Sequence, residues 1–243
     1  MLSVQELNKS FDGIQAVNNC SFTVQSGSIT ALIGPNGAGK TTVFNLVSGV
    51  LKPDSGNVIF SDHAIHNLPP HQITRRGISR TFQISRNLED MTVLENMVVQ
   101  SPVRGLRGLL ASSILPEERE RATELLEFVG LAGLAHEETR NLSYGQRKLL
   151  DFASTLMAKP KMIMLDEPAG GVNPTLLEEI IKYIRQLNDQ GMTFLIVEHN
   201  MDLVMSISDK VIVMAYGQVL AEGKPEIIQE DPKVLEAYLG EVH

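Results

Sequence analysis

Thr30-Ala31-Leu32-Ile33-Gly34-Pro35-Asn36-Gly37-Ala38-Gly39-Lys40-Thr41 joins a short apolar run to a glycine-rich turn that ends in lysine and threonine. The turn meets every fixed position of the pattern G-x-x-x-x-G-K-[ST], and it follows a strand and opens a helix, the context in which that pattern cradles phosphate. Glycines allow successive backbone N–H groups to point inward around an anion, and the helix N-terminus adds partial positive charge. Lys40 reaches the β- and γ-phosphates of a bound nucleotide, and the Thr41 hydroxyl binds Mg²⁺. The plainer reading, a glycine turn with an unrelated lysine, leaves the strand before it and the helix after it unexplained.

Working outward, Ser3–Leu7, Ser21–Val24 and Ser28–Ile33 read as short strands punctuated by Gly13, Gly27 and Gly34. Lys40–Ser48 reads as a helix stopped by Gly49 and followed by Pro53. Asn57–Phe60 and Ile78–Phe82 are further strand candidates. From Glu89 to Ala158 the pattern turns helical. Its clearest case is Glu117–Val129, where Ala122, Leu125, Leu126 and Val129 recur at helical spacing between Pro116 and Gly130. Pro102–Gly108 reads as a loop. After Pro160 the alternation returns: strand 162–165, helix 175–188, strand 193–197, helix 200–207, strands 211–215 and 218–221, and a last helix at 233–239. Strand–helix alternation on both sides of a helical block predicts an α/β core with a helical insertion.

Met162-Ile163-Met164-Leu165-Asp166-Glu167 is an apolar strand that ends in two acids. Charge beside a core requires a partner or a task. A solvated strand end would account for the pair in isolation. Beside a phosphate cradle, Asp166 is placed to hold the magnesium shell and Glu167 to polarise a water aimed at the γ-phosphorus.

Composition bounds the remaining classes. The 243 residues carry 21 Lys+Arg against 29 Asp+Glu, a formal charge of -8. That argues against a nucleic-acid partner, whose binding depends on phosphate neutralisation. One cysteine, Cys20, cannot form an internal disulfide. The start lacks the basic and apolar regions of a signal peptide. No stretch approaches the roughly 18 apolar residues of a membrane span.

The cradle alone does not separate kinases, GTPases, helicases and transport ATPases. Leu142-Ser143-Tyr144-Gly145-Gln146 does: it resembles the LSGGQ signature of ABC ATPases, in the order relative to the other motifs that the family has. Ser143 and Gly145 stand ahead of a helix, a second anion-binding start, for which a simple Ser143 cap is the bland alternative. The resemblance runs from about Val4 to the C-terminus. It implies a P-loop NTPase (RecA-like) core with an antiparallel β subdomain and an inserted α-helical subdomain. In this division, residues 1–88 and 159–243 form the nucleotide lobe and 89–158 the signature-bearing lobe.

It further implies that ATP and Mg²⁺ are bound and ATP hydrolysed between two subunits packed head to tail. Each ATP then lies between one subunit's cradle and the other's signature. The residues carried over are Asn36, Gly37, Ala38, Gly39, Lys40, Thr41 and Thr42 for the phosphates, with Ser143, Gly145 and Gln146 from the opposite subunit. Gln83 is carried over as a contact to metal and water, His199 as the γ-phosphate switch, and Phe11 with Val17 as the adenine platform. The lone strand-end histidine and the aromatic Phe11 would each pass for structural residues outside this setting.

Within the family the chain is most similar to the ATPases of branched-chain amino-acid importers, on Glu167-Pro-Ala-Gly-Gly-Val-Asn-Pro174, Val197-Glu-His-Asn-Met-Asp-Leu-Val204 and Glu236-Ala-Tyr-Leu-Gly-Glu241. Importers of short amides or urea and the lipopolysaccharide exporter ATPase share much of this pattern. A soluble ABC ATPase acting on DNA or ribosomes is the other alternative; it lacks support from any long heptad insertion or second cassette. The resemblance implies a membrane permease docking near Gln83–Val93, a solute-binding protein in the complex, and a peripheral location on the cytoplasmic side of the cell membrane.

Two residues depart from the family pattern: Tyr144 stands for a glycine of the signature, and Asn173 for the aspartate of the dimer loop. Residues 71–110 hold six arginines (Arg75, Arg76, Arg80, Arg86, Arg104 and Arg107) and no lysine, a basic stretch suited to an anionic membrane surface.

Overall fold

The computed structural model describes residues 1–81, 88–101 and 114–239. In chain order the strands are β1 (Leu2–Phe11), β2 (Ile14–Val24), β3 (Ile29–Ile33), β4 (Ser55–Phe60), β5 (His63–Ala64), β6 (Ile78–Arg80), β7 (Met162–Asp166), β8 (Thr193–Val197), β9 (Lys210–Ala215) and β10 (Gln218–Gly223). The helices are α1 (Lys40–Val47), α2 (Pro70–Arg76), α3 (Val93–Val99), α4 (Pro116–Phe128), α5 (Tyr144–Leu156), α6 (Pro174–Asp189), α7 (Met201–Ile207), α8 (Pro225–Gln229) and α9 (Pro232–Leu239).

Two sheets result. The larger has the order β10-β9-β3-β8-β7-β6, parallel throughout except for the antiparallel edge strand β10. Parallel strands covered on both faces read as continuous apolar runs, and β7 shows why. Met162 and Met164 face α1 and the second sheet, while Ile163 and Leu165 face the core shared with α3, α4 and α5. Leu195 and Val197 divide from Phe194 and Ile196 in the same way. A third cluster packs Ile33, Val211 and Val213 against Val204, Ile228 and Val234 of α7, α8 and α9.

The smaller sheet is antiparallel, in the order β2-β1-β4-β5. Its strands β1 and β2 run far beyond the apolar segments at 3–7 and 21–24. The reason is visible in the pairing: the register shifts between Val4 and Leu7 and again between Leu7 and Lys9. Such irregularities break the period-2 alternation from which strand length is read. The hairpin closes at Asp12-Gly13, both with positive φ (47° and 86°), the geometry that tight two-residue turns require. Helix α2 has only Ile73 buried, so it has no apolar face to announce it. Neither it nor β5 is evident from the sequence pattern. The expected loop at Pro102–Gly108 lies outside the described residues.

Cys20 is fully buried in the core of the smaller sheet, and burial pushes its thiol up to about 12. A thiol so raised has almost no thiolate at neutral pH. A maleimide or disulfide reagent is therefore expected to leave the native protein unlabelled at pH 7.5 and to label one thiol per chain in denaturant. Rapid native labelling would show that this sheet opens readily.

Candidate active site

The parallel strands β3, β7 and β8 end at one edge of the large sheet. Leu32, Val197 and Asp166 lie in a single row across it. The residues that follow each strand, Gly34–Thr41, Glu167 and Glu198–His199, therefore emerge side by side. Such carboxyl edges of open α/β sheets are where ligands bind.

The cradle is shaped by its glycines. Gly34 has φ 146°, and a Cβ there would overlap the Met214 carbonyl oxygen. At Gly39, which precedes α1 with φ 98°, a Cβ would stand 2.5 Å from the Ala16 carbonyl oxygen. Gly37 differs: its φ of 75° favours glycine, but nothing lies within 4 Å of a Cβ. The first two are fixed by the protein's own backbone, and the third opens onto free space of the kind a phosphate requires. Helix α1 has no side-chain N-cap, so no capping side chain covers its first amides.

The loop is tied to the β9–β10 hairpin by Gly217 N donating to Ala38 O at 3.1 Å. Lys40 is 5% exposed, and its Nζ donates to the Gly34 and Pro35 carbonyl oxygens at 2.6 and 2.8 Å. That holds the ammonium against the loop. Asn36 and Thr41 are exposed, Thr42 is half-buried and Ala38 is buried.

Asp166 is buried, and its Oδ2 accepts from Arg80 at 2.8 Å. Arg80 also donates to Asn45 Oδ1 at 2.6 Å and Ser48 Oγ at 2.9 Å, and lies over the Phe44 ring at 4.8 Å. One guanidinium thus ties the acid at the end of β7 to the helix behind the cradle. Arg80 is consequently not part of a membrane-facing basic stretch, which is a correction to the count of six. Arg75 and Arg76 at the end of α2 are exposed, and Arg86, Arg104 and Arg107 lie outside the described residues.

Glu167 has φ 48°, a left-handed backbone uncommon for a residue with a side chain and typical of strained functional positions. It is held there by its N–H donating to Val197 O on β8 and by its C=O accepting from Gly170, both at 2.9 Å. Its Oε1 stands 3.1 Å from His199 Nε2. Both side chains keep solvent access, at 26% and 44% exposure, so a water can reach the carboxylate. The sequence offered His199 only through resemblance. The structure brings it to Glu167, although Gln83, expected beside them, lies outside the described residues.

Phe11 is 41% exposed at the end of β1, with Lys9 Nζ 5.5 Å from its ring centroid. Its face is open enough to receive a base. Val17, expected beside it, is fully buried in the core beneath the sheet. It presents no open face of its own.

Ser143 caps α5, accepting from Gln146 N at 3.2 Å while Gln146 Oε1 accepts from Ser143 N at 2.9 Å. The reciprocal pair is a capping box. Gly145 has a packing reason of its own, since a Cβ there would come within 2.9 Å of Leu176 on α6. The departure at 144 is accommodated locally. The Tyr144 hydroxyl donates to Gly170 O at 3.0 Å, and its ring crosses Gly171, where a Cβ would lie 3.1 Å from the hydroxyl oxygen. Asn173 caps α6 by accepting from Leu176 N at 2.9 Å, the service an aspartate would give without its charge.

One buried acid beside the site was not singled out in the sequence. Glu198, 3% exposed, accepts from the backbone of Ala169, His199 and Asn200. Its signal was a charged residue closing the apolar run 193–197, overshadowed by the histidine beside it.

Comparison with known proteins identifies the family. The family model described as ABC transporter matches residues 17–170, and that of the branched-chain amino acid ATP-binding cassette transporter matches residues 218–243. The chain is 46% identical to the probable branched-chain amino acid transport ATP-binding protein LivG of Archaeoglobus fulgidus, covering 99% of this chain and 95% of that protein. It is similar to an ABC transporter cassette solved in its ADP conformation, with a TM-score of 0.89 at 39% identity over 99% and 98% of the two chains. A dimeric cassette in a post-hydrolysis state bound to ADP and Pi aligns with a TM-score of 0.80 at 26% identity, over 93% and 99%. With its phosphate cradle, paired acids and signature on the fold those relatives share, the chain belongs to the ABC transporter family of ATP-hydrolysing cassettes.

Proposed function

We propose that this chain is the ATPase subunit that drives uptake of branched-chain amino acids through a separate membrane permease. The observation that carries the catalytic part is the Glu167–His199 contact at 3.1 Å beside the cradle. The match of the C-terminal segment, together with the transport role named for the relatives, supports the solute class.

ATP sits with its phosphates on the amides of Asn36–Thr42 and under Lys40, and its adenine on Phe11. The donor set suits Mg²⁺, which favours one or two carboxylates plus phosphate oxygens. Thr41 is exposed and Asp166 is fixed in orientation by Arg80. Thr41 and Asp166 would hold the ion, directly or through water, with Gln83 as a further candidate; the ion supplies neutralisation of phosphate charge. Glu167 takes a proton from the attacking water as its oxygen bonds to the γ-phosphorus. The bond to the ADP oxygen breaks, and ADP and phosphate leave. His199 holds Glu167 and the γ-phosphate in one geometry.

The second half of the site comes from another subunit, this chain or a sister, through Ser143, Gly145 and Gln146. The dimeric post-hydrolysis relative supports this arrangement. Loss of the γ-phosphate then removes a contact shared by two protein faces, which opens the pair.

The permease docks against the cleft of about 250 Å³ between α2, α3 and α5, whose mouth carries Val50, Leu88 and Val99 at 52, 47 and 46% exposure. His71 and Gln100 are exposed on its lining, so the docking segment is expected to pair apolar residues with polar ones. The remaining expected docking residues, Gln83–Asn87, lie outside the described residues. No helix among the described residues is long and apolar enough to cross a membrane; the subunit works from the cytoplasmic side of the cell membrane, with a solute-binding protein completing the complex on the other side. Co-expression with the permease tests the assignment. The complex in proteoliposomes is expected to import leucine only with ATP, and leucine-independent behaviour combined with uptake of a short amide would replace the solute class.

A further inference from the structure

We propose that Glu198 is a positioning residue: a single buried carboxylate that fixes Glu167 and His199 relative to each other by bridging the loops that carry them. It rests on the roles given above to those two residues. Glu198 follows β8 directly and is 3% exposed. Its Oε1 accepts from Ala169 N at 2.7 Å, and its Oε2 accepts from His199 N at 2.8 Å and Asn200 N at 3.0 Å. Ala169 lies two residues beyond Glu167, on the loop leaving β7. His199 and Asn200 form the turn leaving β8, where Asn200 caps α7 by accepting from Leu203 N at 3.0 Å.

A buried charge at this place is an expensive way to satisfy three backbone donors. A carboxylate in low dielectric is tolerated only when donors surround it. In return, hydrogen bonds to an ionised acceptor are shorter and roughly twice as strong as neutral ones. The geometry has a use for that stiffness. Glu167 lies at an unfavourable φ of 48°, and its side chain meets His199 across a gap between two loops. The N–H of Glu167 bonds to Val197 O, which fixes the start of the first loop, but that bond does not reach its far side. Glu198 does. Without it, Ala169 N and His199 N lose their shared anchor, and the 3.1 Å contact is free to open. Displacements on the order of 1 Å in a catalytic geometry cost up to about a hundredfold in rate.

The test uses Glu198→Gln in the full chain, alone and combined with Glu167→Gln. Measurements are single-turnover ATP cleavage, equilibrium binding of a fluorescent ATP analogue, and thermal stability. The amide keeps the shape but sets an N–H₂ against backbone N–H donors. Alone, it is expected to lower the cleavage rate about tenfold or more, with nucleotide affinity changed less than about threefold, because no cradle residue is disturbed. Combined with Glu167→Gln, it is expected to add less than about twofold, since a residue acting through another shows no separate effect once that partner is gone.

An equal fractional loss in both backgrounds would assign Glu198 a merely structural role and overturn the proposal. So would a wild-type cleavage rate in the single variant. Glu198→Asp provides a second reading if the glutamine variant does not fold. It keeps the charge and the reach to His199 and Asn200 but is one methylene short of Ala169, so an intermediate rate is expected and full activity overturns the bridge. A Glu167→Gln chain that cleaves ATP at the wild-type rate would instead remove the site reading on which the proposal rests, and it is recognisable before any Glu198 variant is made.

Discussion

Glu167→Gln is expected to lower ATP turnover by about 10²- to 10⁴-fold, the contribution of a general base, while ATP affinity stays near that of the unaltered protein. The groups assigned to the phosphates and adenine within this subunit lie mainly on the 34–42 loop and at Phe11, and His199, 3.1 Å from Glu167 Oε1, keeps a hydrogen-bonding partner in the amide. Glutamine has nearly the same volume and keeps the backbone bonds to Val197 and Gly170 that hold φ at 48°. What it lacks is a carboxylate able to take a proton from water. With ATP bound and uncleaved, the pair should stay closed, so size-exclusion chromatography with ATP is expected to show dimer accumulating.

Lys40→Ala separates this effect from one on binding. It deletes the buried ammonium held against the cradle loop and, if that group meets the phosphates as proposed, loses about 3 kcal/mol of transition-state stabilisation together with nucleotide affinity. Phosphate release by Glu167→Gln within a few-fold of the unaltered chain would place the base elsewhere. An ATP-loaded Glu167→Gln that stays monomeric, even beside its permease and any sister subunit, would remove the shared site.

Arg80→Met should cost about 3–5 kcal/mol of folding stability, the range found when one member of a buried ion pair is removed. The side chains of Arg80 and Asp166 are 11% and 5% exposed, so solvent screens the pair little. Methionine fills much of the volume over Phe44 but leaves the Asp166 carboxylate without its guanidinium, and Asn45 and Ser48 without their shared donor. Urea unfolding gives the measurement. Adding Asp166→Asn to Arg80→Met is expected to recover part of the loss, because the stranded charge is then gone, and the double-mutant cycle isolates the pair. A loss below about 1 kcal/mol for Arg80→Met would mean that the tie from β7 to α1 is not needed to hold Asp166.

Much of the active edge was legible because its signals are contiguous. The cradle occupies eight successive residues, its glycines are required by backbone geometry at Gly34 and Gly39, and strand and helix flank it at once. The acids at 166 and 167 stand out because they end an apolar run, and the strands 162–166 and 193–197 are uniformly buried, as unbroken hydrophobicity requires. By contrast, the β1 and β2 lengths were hidden by register shifts, and α2 by its single buried residue.

By itself, the sequence determined what short-range chemistry determines: a phosphate loop, a strand ending in two carboxylates, a capped helix at Ser143 and an α/β alternation. Only the tertiary structure decided which distant groups meet. Arg80 and Asp166 are 86 positions apart, Ala169 and Glu198 29, and Tyr144 and Gly170 26. The strand order β6-β7-β8-β3 brings the first two of these pairs together, and the packing of α5 against the β7–α6 loop brings the third. Neither the order nor the packing leaves any periodicity in the chain, because side-chain spacing encodes the face a residue occupies and not the neighbour it will have.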